Sequence, residues 1–384
     1  MRKFYEFFAG GGMARAGLGS DWQCVFANDF DLKKIESYRT NWPKGPAPKH
    51  DDIANLTIKD FPGRADLAWA SFPCQDLSLA GNGLGLRGDR SGTFWSFWRL
   101  MLALKRAQRA PRLIAIENVC GTITSHKGKD FSAIANSFAE AGFLFGAVVI
   151  DAKKFVPQSR PRLFFIATSN LAVSEQLCSV GPDPQWHTAS LQAAVERLPH
   201  ATRESWIWWR LPTPIMRDIS FYDVIEEDEP AGVDWHSAAE TRHLMSLMSP
   251  VNRAKVAKAR KSGVCQIGGV YRRTRPDGEG GKQQRAEIRF DEVAGCLRTP
   301  TGGSSRQAIL VVEGKQPLKS RLLSPREAAR LMGIDDTYIL PEKYNDAYHL
   351  LGDGVVVDVV RFLSQNLLTP LLKGHRPKIL LKAA

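Results

Sequence analysis

The chain opens on an apolar, aromatic-rich run, Lys3 to Ala9, that stops at Gly10, Gly11 and Gly12 before Met13 to Leu18 resume with helical character. A strand, a glycine turn and a helix in that order begin a doubly wound α/β sheet, because glycine lets the backbone turn tightly as the helix packs back on its strand. The unit then repeats. Gln23 to Asn28 predicts a second strand, ending in Asp29-Phe30 before a helix from Asp31 to about Asn41, and His50-Asp51-Asp52-Ile53 ends a third segment. Ala65 to Ala70 is a further apolar strand. Thr93 to about Gln108 predicts a helix with Phe94, Phe97, Trp98 and Met101 at core spacing, and Arg112 to Ile116 a buried strand ending in Glu117-Asn118-Val119. A helix near Phe131 to Ala141, a strand from Phe143 to Ile150 and another strand led in by Arg160 and Arg162 complete the pattern.

The strand ends carry the chemistry. The dinucleotide fingerprint needs glycines at its first, third and sixth positions, and from Gly10 the sixth is Arg15, so the turn suits a nucleoside without a pyrophosphate. Asp29 follows Gly10 by 19 residues, near the spacing of about 20 at which an acid accepts ribose hydroxyls. Phe30 could stack on the base. A helix N-cap is the competing role for Asp29, and a turn aspartate the competing role for Asp52, which could otherwise accept from an adenine amino group. Pro73 holds Phe72 extended, which ends the fourth strand and presents the Cys74 thiol at a loop. Asp76 to Gly92, with five glycines, reads as a closing flap; an inert buried thiol is the alternative. Glu117 lies at the carboxyl end of its strand, where open α/β sheets place their sites. The period of two puts Arg160 and Arg162 on one face, by default a solvated edge.

From about Asn170 the alternation is lost. A Trp- and Pro-rich stretch leads to the acidic run Glu226 to Glu229, read as a solvated face, and residues 251–319 carry 15 Lys plus Arg against 6 Asp plus Glu. Arg272-Arg273-Thr274-Arg275 and Thr299 to Gln307 are expected to be loops suited to phosphates and base edges. Ser324-Pro325-Arg326-Glu327 is a capping box with proline at the first helical position, opening a helix to Met332-Gly333. After Leu350 to Gly354, the apolar helix from Val355 to Leu368 is expected to return to the first domain. The division expected is residues 1–180, 181–320 and 321–384. A formal charge of +12 points to a polyanionic partner, with solubility as the competing explanation. Six cysteines without a Cys-x-x-Cys pair or zinc spacing suggest reduced thiols in a cytoplasmic protein and no metal. The N-terminus enters a strand within a few residues, so no signal peptide is expected, and no apolar run reaches the roughly 18 residues of a membrane span.

Five strand ends bear, in order, a glycine turn, an acid with an aromatic, Pro-Cys-Gln, Glu-Asn-Val and Gln-x-Arg-x-Arg. In this the chain resembles the DNA (cytosine-5) methyltransferases, over about residues 2–170 and 320–370 with a variable segment between. The resemblance implies an α/β, Rossmann-like methyltransferase sheet, doubly wound, with a second, smaller, irregular target-recognition domain. S-adenosyl-L-methionine would be the cofactor and S-adenosyl-L-homocysteine its product. Double-stranded DNA would be the partner, in a bacterial cytoplasm, with restriction or phage-defence proteins as associates and no membrane.

Carbon 5 of cytosine is too weak a nucleophile to take a methyl group unaided, so a thiolate must first add at carbon 6. By resemblance Cys74 is that nucleophile, Glu117 meets N3, Arg162 meets O2, and Arg160 is a nearby phosphate or loop contact; Gln75 and Ser78 lie against DNA. The target base must leave the helix, and the glycine-rich loop would close over it. Phe8, Ala9, Gly10 and Gly12 would form the cofactor turn, Asp29 and Phe30 would take ribose and adenine, Asp52 and Ile53 the adenine edge, and Asp353 and Val355 would close the pocket. The segment from about 185 to 315 would dock the major groove, with Arg272, Arg273, Arg275, Arg298 and Arg306 on guanines or phosphates. Three positions depart from the pattern: Asp29 stands where glutamate is common, Asp353 where asparagine is common, and Gly11-Gly12-Met13 shifts the glycines. The rivals are the tRNA-cytosine branch, a DNA-binding scaffold and an NAD-dependent oxidoreductase. The large basic insertion, the intact Cys74, Glu117 and Arg162, and the failed fingerprint weigh against them in turn.

Overall fold

The computed structural model describes residues 1–72, 92–169, 172–226, 230, 232–276, 281–299 and 306–373. Cys74, Gln75, Ser78 and the glycine-rich segment after them lie outside the described residues, as do residues 300–305. Contacts divide the chain into two compact units.

The first unit comprises residues 1–151, 161–214 and those from Val357 onward. Its centre is a seven-stranded sheet in the order β3-β2-β1-β4-β5-β7-β6. The strands are β1 (Arg2–Phe7), β2 (Trp22–Asp29), β3 (Lys49–His50), β4 (Leu67–Ala70), β5 (Leu113–Val119), β6 (Leu144–Asp151) and β7 (Pro161–Thr168). Helices α1 (Met13–Leu18), α2 (Leu32–Asn41), α3 (Thr93–Arg106) and α4 (Lys129–Glu140) connect them. The central strands are covered on both faces, which is why β4 and most of β5 read as unbroken apolar runs. Strand β7 runs antiparallel to β5 and β6. Only nine residues separate β6 from β7, fewer than the dozen or so that a parallel crossover needs. The helix Val357–Leu363 lies directly on α1: a Cβ at Gly17 would come within 2.4 Å of Val360 Cβ and 2.6 Å of the Val357 carbonyl. Trp22 Nε1 donates to Ser364 Oγ at 3.0 Å, and Arg112 Nη2 to the Leu372 carbonyl at 3.1 Å. The expected C-terminal segment 321–384 is thus shared: it supplies the first unit from Val357 onward and the second unit up to Val356.

The second unit comprises residues 152–160 and 215–356. It holds a four-stranded antiparallel sheet, ordered Lys282–Arg289, Gln266–Pro276, Ala308–Val312, Lys319–Leu322. Val270, Ala286, Ile288, Leu310 and Val312 form its core with Val256 and Ala259 of the helix Pro250–Lys261. The stretch Arg272 to Arg275, expected as a loop, is therefore strand. Ser324 caps the helix Pro325–Arg330 through the anticipated box. Beside it Arg321 and Glu327 form a fully buried two-point ion pair, Nη2 to Oε1 at 2.5 Å and Nη1 to Oε2 at 2.8 Å. Glu226 joins this cluster through its backbone N–H to Glu327 Oε1 (2.9 Å) and by accepting from Ser324 Oγ, so it is not part of a solvated face. Among the described residues one stretch, Tyr344–Lys373, is long and apolar enough to cross a membrane; it is interrupted after Asp353, and 61 % of its apolar window is buried.

Candidate active site

At the end of β1 the chain enters the left-handed region three times, at Phe8 (φ 55°), Gly10 (φ 54°) and Gly12 (φ 81°). The two glycines do different jobs. A Cβ on Gly10 would meet nothing within 4 Å, so the turn leaves open space there, whereas a Cβ on Gly12 would lie 2.3 Å from Trp42 Nε1. Gly12 is therefore required by packing, and its amide closes the turn on the Ala9 carbonyl at 2.8 Å. The six-residue α1 has no side-chain cap of its own. Instead Glu6, buried on β1, accepts from the Arg15 amide at 3.1 Å and from Tyr38 Oη at 3.0 Å. Burial pushes the Glu6 carboxyl up to about 7 despite these bonds. Nothing in the sequence marked Glu6, because a lone acid in an apolar strand carries no motif.

Asp29 ends β2 with its carboxylate almost covered. Oδ2 accepts from the Gly10 amide at 2.8 Å and Oδ1 from the Asp31 amide at 2.9 Å. Burial raises its pKa, with the charge of Lys34 opposing. The capping role belongs to Asp31, which accepts from Lys33 and Lys34 at the start of α2, and not to Asp29. A carboxylate offers about four lone-pair positions, so Asp29 keeps acceptor capacity facing the turn. Phe30, next to it, is 64 % exposed. Open space over Gly10, a buried acid and an exposed phenyl at adjacent strand ends fit a nucleoside. Asp52 is exposed and uses one oxygen to cap the 3-10 turn Ile53–Asn55 through the Ala54 amide (2.8 Å), the turn role foreseen as its alternative. The Ile53 side chain is buried in the core, leaving only its backbone to a ligand.

The ends of β4, β5 and β7 meet at the same edge of the sheet, because antiparallel β7 begins where its parallel neighbours finish. Glu117 is opposite Phe164 and Val119 opposite Arg162, so Glu117 and Arg162 are diagonal neighbours on one face. Their side chains form an ion pair, Arg162 Nε to Glu117 Oε1 at 3.1 Å, at 15 % and 8 % exposure. Asn118, which the motif contained without a role, is buried and donates from Nδ2 to the Phe72 carbonyl at 3.4 Å. Phe72 packs edge-on against Phe8 with ring centroids 6.4 Å apart. Asn118 and Phe8 thus tie β5 and the glycine turn after β1 to Phe72, the residue before Pro73 in the sequence.

The other candidates belong to the second unit. Arg160 is neither solvated nor presented to a ligand: it is 2 % exposed, and its guanidinium donates to the carbonyls of Leu297 (2.7 Å), Gly352 (2.8 Å) and Gly354 (2.7 Å). It knits the second unit together through loop backbone, so of the two parts expected for it, phosphate or loop contact, these bonds are of the second kind. Asp353 ends the helix Tyr344–Asp353 and Val355 is buried, both within the second unit. Arg272, Arg273 and Arg275 project from a strand, and Arg298 is exposed. Arg306 is held inside its unit, over the Tyr344 ring at 5.4 Å and bonded to Asn345.

A parallel sheet whose order reverses beside β1, joined at its far side by one inserted antiparallel strand, with open space over Gly10 at the reversal, is the architecture of a Rossmann-like methyltransferase. The family profile described as C-5 cytosine-specific DNA methylase matches residues 2–369. The chain belongs to that family and is a DNA (cytosine-5) methyltransferase. It is 24 % identical over 367 residues to the Type II methyltransferase M.HhaI of Haemophilus parahaemolyticus, spanning 95 % of this chain and 94 % of that one. It is 25 % identical over 373 residues to the Type II methyltransferase M.NlaX of Neisseria lactamica, 96 % of each. The Dnmt2 methyltransferase of S. pombe shares the fold, with a TM-score of 0.58 at 19 % identity over 97 % of this chain and 99 % of that one.

Proposed function

We propose that this enzyme transfers a methyl group from S-adenosyl-L-methionine to carbon 5 of a cytosine flipped out of duplex DNA, through a covalent adduct of Cys74. The observation that carries the reading is the nearly buried Glu117–Arg162 pair at the sheet edge where β4 ends, with Cys74 following four residues after Ala70 in the sequence. Addition of the Cys74 thiolate at C6 drives negative charge onto N3 and O2. Glu117 meets N3 as donor or proton relay, and the Arg162 guanidinium stabilises O2, both already oriented before charge develops. When bound, S-adenosyl-L-methionine supplies an electrophilic methyl on a sulfonium. Asp29 and Phe30 would hold its adenosine and the Phe8–Gly10 backbone its open turn. Loss of the C5 proton then allows the Cys74–C6 bond to break, which restores the aromatic ring and the thiolate.

The other thiols of this region favour Cys74 by contrast. Burial raises Cys24 to about 12 and Cys120, three residues past Glu117, to about 11, so neither supplies a thiolate at neutral pH. Double-stranded DNA is the substrate, and the Type II names of the relatives favour a cytoplasmic restriction-modification setting, with a nuclease or phage-defence partner. The deciding experiment incubates the protein with methyl-labelled S-adenosyl-L-methionine and duplex DNA or tRNA. Label is expected as 5-methylcytosine in DNA, lost in Cys74→Ala, with a stable adduct on 5-fluorocytosine duplex. Label in tRNA alone, or a methylating Cys74→Ala protein, refutes the reading.

A further inference from the structure

Strand Gln266–Pro276 of the second unit is longer than its surroundings require. It pairs with Ala308–Val312 only from Gln266 to Val270, while its pairing with Lys282–Arg289 continues to Pro276 opposite Lys282. From residue 272 to 276, facing 282 to 286, it has a single neighbouring strand. Apart from the Ala286 amide, bonded to the Leu247 carbonyl at 3.0 Å, this part is a two-stranded ribbon. It is about 17 Å long at about 3.4 Å per residue.

The register sorts its side chains. Tyr271, Arg273 and Arg275 share one face with Glu287, Arg285 and Gln283, while Arg272 and Thr274 share the other with Ala286 and Gln284. Beyond Ala286 neither face buries an apolar side chain among the described ones, so hydrophobic packing does not explain the extension. Arg272, Arg273, Arg275, Lys282 and Arg285 stand against the single acid Glu287 among its described residues. Arg273 and Arg285 are directly opposite one another, an arrangement of like charges that weakens strand pairing.

Glu287 orders the outward face. It accepts from Arg275 Nε at 3.1 Å and Nη2 at 2.6 Å, and Arg273 Nε lies 3.8 Å from it. The Arg273 guanidinium also lies 4.8 Å from the centre of the Tyr271 ring. Arg285 makes no ion pair among the described residues. The face therefore presents two guanidinium planes held in fixed orientation and a third without an acid.

Resting on the function proposed above, we propose that this ribbon enters the major groove of the DNA substrate and that Arg273, Arg275 and Arg285 read a guanine in the methylated sequence. The major groove, about 12 Å wide, admits a two-stranded ribbon, and a guanidinium fork matches guanine O6 and N7. Arg272, on the other face, contacts backbone or solvent and does not set the sequence.

The test maps 5-methylcytosine by conversion sequencing of a random-sequence plasmid library methylated by the full-length protein, its Arg285→Lys, Arg285→Ala and Arg273→Lys variants, and Arg272→Ala. Binding of S-adenosyl-L-homocysteine checks that the first unit is intact, and the lysine exchanges keep charge and strand pairing where alanine disturbs them. In the Arg285 and Arg273 variants, preference for guanine at one position of the motif is expected to fall roughly tenfold or more, while Arg272→Ala keeps the motif. An unchanged motif with a salt dependence of duplex binding shallower by about one unit would make these arginines phosphate contacts and overturn the base reading. Unchanged motif and unchanged binding would overturn the ribbon as a DNA surface altogether. A wild-type protein that methylates no duplex DNA removes the proposed function, and this inference with it.

Discussion

Replacing Arg162 by alanine separates the chemistry of the Glu117–Arg162 pair from its structural worth. The pair is joined at 3.1 Å and both side chains are nearly buried. Removing the guanidinium leaves the Glu117 carboxylate short of a charged partner, which costs about 2–3 kcal/mol of folding stability. A domain stable by about 5–15 kcal/mol tolerates that loss and remains almost wholly folded. In the role proposed for it, as an oriented donor to charge that develops on the base, the same guanidinium would be worth about 3–4 kcal/mol in the transition state, a factor of roughly 10²–10³ in rate. Chemistry therefore dominates the measured change. Single-turnover methyl transfer to duplex DNA at saturating S-adenosyl-L-methionine should slow by that factor, and adduct formation on 5-fluorocytosine duplex should slow in parallel. The KM for the cofactor should stay within about twofold of wild type, because the turn at Gly10 and Asp29 belongs to β1 and β2. Arg162→Lys should fall between, keeping the charge while losing the planar fork. A transfer rate within about fivefold of wild type, in an Arg162→Ala protein that unfolds normally, would refute the assigned role.

Arg160→Ala should act differently from Arg162→Ala, because it strands three backbone carbonyls in the second unit. A loss of about 3–5 kcal/mol is expected, read as a lower Tm, and a folded variant with selectively lost transfer would contradict it. Glu6 gives the first unit a pH dependence. Its folded pKa of about 7 lies above the ordinary 4.5, so the folded state holds the proton more tightly than the unfolded one. Stability is then lost as pH rises between these values, by on the order of 3 kcal/mol. Urea unfolding should show Glu6→Gln overtaking wild type between pH 5 and pH 8, and an equal difference at both values would exclude the effect.

Much of the first unit was legible because its strands end in residues that have few other reasons to be there. Gly10 with an open Cβ position, Asp29 bonded to its amide, and Glu117 beside Arg162 all occupy one edge of the sheet, as strand-end reasoning requires. What escaped had no local signal. Arg160 reads as a solvated residue because its partners at Leu297, Gly352 and Gly354 lie more than 130 positions away. The ribbon reads as a loop because strands that bury neither face show no alternation of apolar and polar residues. Asp31 and Asp29 are equally good capping residues on paper, and the actual start of α2 decides between them.

The seating of the helix Val357–Leu363 against Gly17 also bears on biosynthesis. The ribosome must make the whole interval from Pro214 to Val357 before the first unit can receive its last helices. At about 5–20 residues per second that interval takes roughly 10–30 s. Until then the back of α1 and the indole of Trp22 lack their final cover, so the nascent enzyme presents chaperones with an apolar flank that vanishes only near the close of translation.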